Sequence, residues 1–187
     1  MRMMRWIAIG GLLGSLLGCA NLVAPPYSPD YETLDKLKAA AVGKLQVAPT
    51  RPTDPAAPVN RITLRGAPMA SPAGTFTKYL EQALIRDLQE IGALDAAAGT
   101  RLDSLVLKND IDVSGLSTGS GVMEVEISIT RGDAVRLKKV YLANTRFESS
   151  FAGAVALPKG QNEYANLVRT LLKQVYADPE FINAIRP

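Results

Sequence analysis

The chain has 187 residues, of which 47% are hydrophobic and 21% charged, a composition typical of one globular domain. It contains no histidine and one cysteine. These counts exclude the commonest general base, an intrachain disulfide and the usual cysteine–histidine metal sites. The 21 basic and 18 acidic residues give a formal charge of +3. Such a charge does not indicate the basic surface of a nucleic-acid-binding protein.

Residues 1–18 have the composition of a secretion signal. Arg2 and Arg5 lie in front of an uncharged apolar run, residues 6–17, which is the usual order of a charged n-region and an apolar h-region. As a helix this run would span about 18 Å, less than the ~30 Å hydrocarbon core, so we do not expect it to cross a membrane. The run ends in the sequence LLGC at residues 16–19.

This LLGC sequence resembles the lipobox of bacterial lipoproteins, which has leucine at the third position before the cysteine and a small residue directly before it. The resemblance implies cleavage between Gly18 and Cys19, and a diacylglycerol and an N-acyl chain on Cys19. Ala20 follows, whereas aspartate at that position tends to mean inner-membrane retention in such lipoproteins. The resemblance therefore implies anchoring on the periplasmic face of the outer membrane. The alternatives are an ordinary signal with a chance cysteine, or an N-terminal anchor.

Removal of Arg2 and Arg5 with the signal leaves 19 basic and 18 acidic residues, a formal charge of +1. Residues 19–29 are predicted to be a lipidated cysteine and an extended tether, because three prolines interrupt any helix there. At ~3.3 Å per residue this tether would hold the domain at most about 35 Å from its lipid. We expect residues 30–187 to form a single periplasmic domain.

Three segments have the apolar periodicity of amphipathic helices: residues 30–42, 75–91 and 161–176. Thr75 is placed to cap the second of these, and a further helical turn is predicted to begin after Asp178. Strands are predicted at residues 44–47, 62–65, 104–113, 123–130 and 135–147. This order predicts an α+β fold, with an antiparallel or mixed sheet of about four to five strands and two or three helices mainly on one face.

The last two predicted strands are separated by the tripeptide RGD at residues 131–133. A three-residue loop there would pair Ile127 with Leu137 and Glu126 with Lys138, which keeps the apolar side chains on one face. We interpret the tripeptide as turn chemistry rather than as a cell-adhesion motif.

Residues 149–157, with the sequence SSFAGAVAL, are the strongest candidate for a contact site other than the lipid. The segment is uncharged and largely apolar where a polar loop would be expected. Two interpretations remain open. The segment could be a buried connection that covers the sheet, or an exposed patch that contacts a partner or lipid through Phe151, Val155 and Leu157.

Other motifs favour structural interpretations. The glycine-rich residues 115–121 lack the lysine and the following helix of a phosphate-binding loop, so a mobile hairpin connection is predicted. Two acidic pairs on strands are predicted to face solvent rather than a cation: Asp110 with Asp112, and Glu124 with Glu126. We therefore expect no metal, no cofactor beyond the acyl chains, and no enzymatic activity.

Beyond the signal, the mature domain loosely resembles small Gram-negative outer-membrane lipoproteins, such as the lipopolysaccharide-assembly lipoprotein and the auxiliary lipoproteins of envelope transport systems. The likeness rests on the lipidated cysteine, the proline-bearing tether and an α+β domain with helix 75–91. It implies an accessory role in envelope assembly or transport, through contacts with an envelope protein partner. The alternatives are a carrier of lipid or another apolar ligand, and a hydrolase. A deep apolar cavity would indicate the carrier, whereas a packed core with an exposed apolar strip near Phe151 would indicate the partner-binding module.

Overall fold

Four helices occur in residues 22–187, the part of the chain that the computed structural model describes. Each of α1, α2 and α4 begins at a side-chain cap, because Asp30, Thr75 and Asp178 accept a hydrogen bond from a backbone N–H of the first turn. The count exceeds the predicted two or three, since the turn after Asp178 is a complete helix. The helices are α1 (Tyr31–Ala39), α2 (Phe76–Glu90), α3 (Gly153–Ala177) and α4 (Pro179–Ile185).

Helix α3 begins at Gly153, eight residues before the predicted start at 161. Gly153, Pro158 and Gly160 obscured the helical pattern in the sequence, because glycine and proline are the poorest helix formers. Pro158 lies in the second turn, where its missing N–H breaks only one hydrogen bond of the helix. Ala156 is fully buried in this early part of the helix, so tertiary packing compensates for weak propensity.

In the described part of the chain, seven strands form two mixed sheets rather than the single sheet that was expected. The larger sheet has the order β2-β5-β6-β7, in which β2 runs parallel to β5 and the other pairs are antiparallel. The smaller sheet has the order β1-β4-β3, in which β1 runs parallel to β4. The strands are β1 (Leu22–Val23), β2 (Gln46–Val47), β3 (Ile62–Leu64), β4 (Ala67–Ala70), β5 (Thr100–Asp112), β6 (Thr118–Arg131) and β7 (Ala134–Glu148).

The predicted register of the β6–β7 hairpin is wrong. Arg131 pairs with Ala134, so the loop has two residues rather than three, and Gly132 has a positive φ of 55°. A bulge after Ile129 then shifts the register, so that Ile127 lies opposite Lys139 instead of Leu137. The bulge restores the inward orientation of Leu137, so the prediction of the buried face is correct for Leu137 but wrong for Val135, which is 65% exposed. Glu126 and Lys138 still form an ion pair of 3.5 Å across the strands, on a diagonal.

The core lies between the helices and one face of the larger sheet. Phe76 of α2 and Tyr164 of α3 pack with ring centroids 4.7 Å apart, and Phe181 of α4 is completely buried. On the opposite face of the sheet the outward side chains Val140 and Leu142 are 45% and 50% exposed. The prediction that the helices lie mainly on one face is therefore correct.

Candidate functional site

The lipobox cysteine, Cys19, lies outside the described residues, as does the rest of the predicted signal at residues 1–18. The described chain begins at Leu22, three residues after the cysteine. The structure therefore shows the conformation of the segment that follows the predicted site of lipid attachment.

Residues 22–29 were predicted to be part of a free tether, and they are instead packed against the domain. The segment is extended, as its prolines require, but β1 pairs with β4 and buries the side chains of Leu22 and Ala24. The prediction failed because an extended chain with alternating apolar residues is also suited to join a sheet edge. The prediction of a tether is thus corrected for residues 22–29.

Several hydrogen bonds fasten this segment along its length. The Tyr79 hydroxyl donates to the Pro25 carbonyl over 2.8 Å, and the Gln161 amide donates to the Val23 carbonyl. The Tyr27 hydroxyl donates to Oδ2 of Asp87 over 2.8 Å. Because these partners lie on α2 and α3, the segment is held by the same helices that form the core.

Asp87 is the buried acid of this arrangement, with 1% of its surface exposed. Burial raises the pKa of its carboxyl to about 6, although the hydrogen bond from Tyr27 opposes the shift. The hydroxyl of Tyr176 also lies beside this carboxyl and, like that of Tyr27, opposes the rise of its pKa. The sequence carried a signal for this site that was missed, because Asp87 falls on the apolar stripe of helix 75–91, four residues after Ala83.

A second feature is the Arg65 end of the molecule, which comprises residues 65–66, 113–117 and 149–155. Arg65 and Gly66 both have positive φ and connect β3 to β4 in a two-residue turn. The Arg65 guanidinium donates to backbone carbonyls of two segments that are distant in sequence. Its acceptors are the carbonyls of Val113 at 3.0 Å, Ser150 at 2.7 Å and Phe151 at 2.6 Å. Arg65 thus joins the loop before β6 to the loop before α3.

The two interpretations of residues 149–157 each hold for part of the segment. Phe151 and Val155 are 77% and 44% exposed, whereas Leu157 is partly buried against the core. Leu116, which sequence reasoning did not single out, is 74% exposed in the loop that Arg65 joins to Phe151. The Arg65 end therefore presents several apolar side chains to its surroundings, while Leu157 belongs to the interior.

The glycine-rich residues 115–121 are mostly strand rather than a mobile connection. Residues from Thr118 onward belong to β6, and a Cβ at Gly121 would lie 2.7 Å from Oγ1 of Thr145 and 3.0 Å from Cδ1 of Ile111. Close packing, not loop flexibility, requires glycine there. Within residues 22–187 no cluster of three potential metal ligands occurs, and no helix in that range is long and apolar enough to cross a bilayer.

The interior and the surface hollows differ in character. The space between α2, α3 and the sheet is filled by side chains that are at most 2% exposed, including Tyr164, Phe76 and Leu84. Hollows of about 370, 410 and 510 Å³ lie on the surface and are lined in part by charged side chains. Examples of these charged side chains are Arg146, Arg169 and Lys159. None of these three hollows is an apolar chamber.

No protein-family model matches the chain, and no curated protein matches it. Among solved structures, a Xanthomonas campestris protein of the DUF330 family matches with a TM-score of 0.50 and 16% identity, over 82% of this chain and 90% of its own. A hypothetical protein from Chlamydia trachomatis matches with a TM-score of 0.50 and 12% identity, over 77% and 99%. A candidate lipoprotein from Caulobacter crescentus is a more distant likeness, with a TM-score of 0.40 and 12% identity, over 79% and 94%. At these identities, what the first two share with this chain is the fold.

Proposed function

We propose that this chain is a lipid-anchored accessory protein of the bacterial envelope, acylated at Cys19 and held on the periplasmic face of the outer membrane. It acts through contacts with an envelope protein in assembly or transport, and not as an enzyme. The observation that carries the proposal is the LLGC sequence at residues 16–19, directly behind an apolar run and directly in front of a folded domain.

The packed N-terminal segment supports this proposal. Since Leu22 already belongs to β1, only Ala20 and Asn21 separate it from Cys19. An acylated Cys19 would therefore attach the domain to a membrane through a link of about 10 Å, at ~3.3 Å per residue. Several acyl chains on one cysteine are enough for durable membrane attachment, since each buried methylene contributes about 0.8 kcal/mol.

The filled interior favours an accessory module over the alternative of a lipid carrier. A carrier needs a concave apolar site of several hundred Å³, and the space between helices and sheet is occupied by Tyr164, Phe76 and their neighbours. The strongly perturbed acid, Asp87, is 1% exposed and clamps the N-terminal segment. Its raised pKa thus has a structural cause, which favours the non-enzymatic interpretation.

The first experiment tests the anchor. Cells that produce the full chain are labelled with a fatty-acid analogue, and the protein is compared with its Cys19→Ala variant. We expect label on the wild type and none on the variant, together with co-fractionation of the wild type with outer-membrane vesicles. Absence of label on the wild type, or equal label on the variant, would contradict the proposal.

The second experiment tests the accessory role. A photoreactive amino acid is placed at Leu142, on the open face of the sheet, or at Val135, near the β6–β7 turn, because both are exposed. We expect irradiation of intact cells to crosslink at least one position to one specific envelope protein, identified by mass spectrometry. The same partner should be lost in the Cys19→Ala variant. Crosslinks to bulk lipid alone would contradict a protein-binding role.

A further inference from the structure

We propose that the Arg65 end of the domain lies directly against the bilayer and inserts Phe151 and Leu116 into it. This inference rests on the proposed acylation of Cys19 and names the surface that the acylated protein turns toward the membrane. The contact is with lipid rather than with a protein partner, and four observations support it.

The first observation is the direction of the chain. Strand β1 runs parallel to β4, with Leu22 opposite Met69, so the N-terminal side of Leu22 faces the start of β4. The start of β4 is the turn of Arg65 and Gly66. The segment after β1 continues toward Asp30, which lies 4.0 Å from Lys173 near the other end of α3. The described chain therefore enters the domain from the Arg65 end.

The second observation is the length of the link. Three residue steps from Cys19 to Leu22 span about 10 Å when fully extended. A compact domain of this size has a diameter on the order of 40 Å. A link so much shorter than the domain restricts its orientation, because the surface around Leu22 must stay within that distance of the lipid. Turning another surface toward the membrane would require β1 to separate from β4.

The third observation is the composition of the surface that this orientation presents. Leu116, Phe151 and Val155 are 74%, 77% and 44% exposed. Residues 113–123 and 149–158 contain no charged side chain, although 21% of the whole chain is charged. Residues 20–29 are equally uncharged. Charged side chains are costly to bring into the hydrocarbon region, so these segments can approach the bilayer without that cost. Asp112, Glu148 and Lys159 border the segments, and the last two form an ion pair of 3.4 Å that would remain at the level of the headgroups.

The fourth observation concerns the backbone of the two loops. Backbone carbonyls that lose water at a membrane must find another hydrogen-bond donor. The Arg65 guanidinium already donates to the carbonyls of Val113, Ser150 and Phe151. Both loops can therefore lose part of their hydration while these carbonyls remain satisfied.

Tryptophan fluorescence can test the contact in the full-length, acylated protein. The single tryptophan of the sequence, Trp6, belongs to the predicted signal, so the mature chain offers a dark background. The variants Phe151→Trp and Leu116→Trp place a fluorophore at the Arg65 end. Val135→Trp is the matched control, because Val135 is 65% exposed at the opposite end of β6 and β7.

Each purified protein is reconstituted into vesicles of phosphatidylethanolamine and phosphatidylglycerol, with and without lipid brominated near the top of its acyl chains. We expect a blue shift and strong bromine quenching at positions 151 and 116, and neither effect at position 135. Equal emission at all three positions in an acylated protein would overturn the membrane contact and leave the proposed function intact. A protein whose Cys19 carries no acyl chain by mass spectrometry would overturn both. Far-ultraviolet circular dichroism confirms that each variant is folded.

Discussion

The two ends of the β6–β7 hairpin have opposite character. At the Arg65 end the loops are uncharged, and glycines allow close contact between elements. At the Gly132 end, which comprises the β6–β7 turn and α4, charged groups form a network. Lys139 lies 2.8 Å from Asp178 and 3.1 Å from Glu180, and the Tyr141 hydroxyl donates to Asp178 over 2.7 Å.

The Arg65 end can therefore lose water at little cost, whereas the Gly132 end depends on hydration. Exposed ion pairs contribute little and are screened by salt, so the Gly132 end is suited to the aqueous side. The Arg65 end depends on apolar packing and on hydrogen bonds that do not need solvent. The difference also gives each end a distinct response to substitution and to pH.

The largest expected effect comes from filling a glycine at the Arg65 end. A Cβ at Gly160 would lie 2.5 Å from Cγ1 of Val113, a β-branched side chain that is 1% exposed. Gly160→Val should lower the free energy of unfolding by about 3 kcal/mol, since overpacking a rigid core forces neighbouring elements apart. Urea titration monitored by circular dichroism measures the loss.

The matched control for that substitution is Gly132→Ala at the other end. A Cβ at Gly132 would meet nothing within 4 Å, but its φ of 55° disfavours alanine. We expect a loss of about 1 kcal/mol from backbone strain alone. Equal losses at the two glycines would contradict the view that packing at the Arg65 end is the tighter of the two.

The second largest expected effect is a change of the free energy of unfolding with pH. It arises from Asp87, which holds the N-terminal segment through its hydrogen bond from Tyr27. Burial raises the pKa of Asp87 to about 6 in the folded protein, from an ordinary value of 3.8. Between these two values the folded state binds the proton more tightly than the unfolded state. The free energy of unfolding should therefore fall by roughly 2–3 kcal/mol as the pH rises through this interval.

Asp87→Asn is the variant that isolates this contribution. Its amide is neutral at every pH and can still accept the hydrogen bond from Tyr27, so the decline between pH ~4 and ~6 should disappear. Urea titrations at several pH values between ~4 and ~6 measure the free energy of unfolding of the variant and of the wild type. A decline of the same size in the variant would show that another group is responsible.

Local patterns in the sequence were sufficient for some elements. The apolar stripe and the Thr75 cap predicted α2, and clean alternation of apolar and polar residues predicted β6. The prediction of these two elements is correct because the residues that indicate each element lie close to one another in sequence. The turn after Asp178 was equally legible from its aspartate and proline.

Other features depend on partners that are distant in sequence. Strand β1 looked like a tether because its partner β4 lies more than forty residues away, and β4 itself is short and contains Pro68. Arg65 carried no signal, since its acceptor at Phe151 is 86 residues distant. The bulge after Ile129 is likewise invisible to alternation, because the extra residue of a bulge leaves no mark in the apolar pattern; Val135 is therefore exposed although it alternates with buried Leu137.

Distance in sequence also explains why the exposure of the candidate contact site, residues 149–157, was predicted only in part. Composition indicated that residues 149–157 were unusual, but only packing could divide them, with Phe151 and Val155 exposed and Leu157 partly buried. Leu116 escaped notice because a single leucine among glycines and serines has no periodicity. Its proximity to Phe151 follows from Arg65, which joins the two loops.

The smallest expected effect lies at the Gly132 end, at Asp178. Its carboxylate caps α4 by accepting from the Glu180 N–H over 3.0 Å, besides its bonds to Tyr141 and Lys139. Asp178→Ala should cost about 1 kcal/mol of stability through loss of the cap. Asp178→Asn keeps an oxygen acceptor and should cost less. Thermal unfolding of both variants measures the difference, and equal losses would contradict the role of the cap.

Asp178 should also respond to pH with the sign opposite to that of Asp87. Partial burial opposes its ionisation, but hydrogen bonds from Lys139 and Tyr141 outweigh this and lower its pKa. Its contribution is therefore complete above the unfolded value of about 4 and is lost as the pH falls through the lower folded value. The combined contribution of the two groups should be largest where the two effects meet, near pH ~4. Asp178→Asn should weaken the loss of stability below the pH of this maximum. Asp87→Asn should remove the loss of stability above that pH. A single variant that removed both losses would contradict the independence of the two groups.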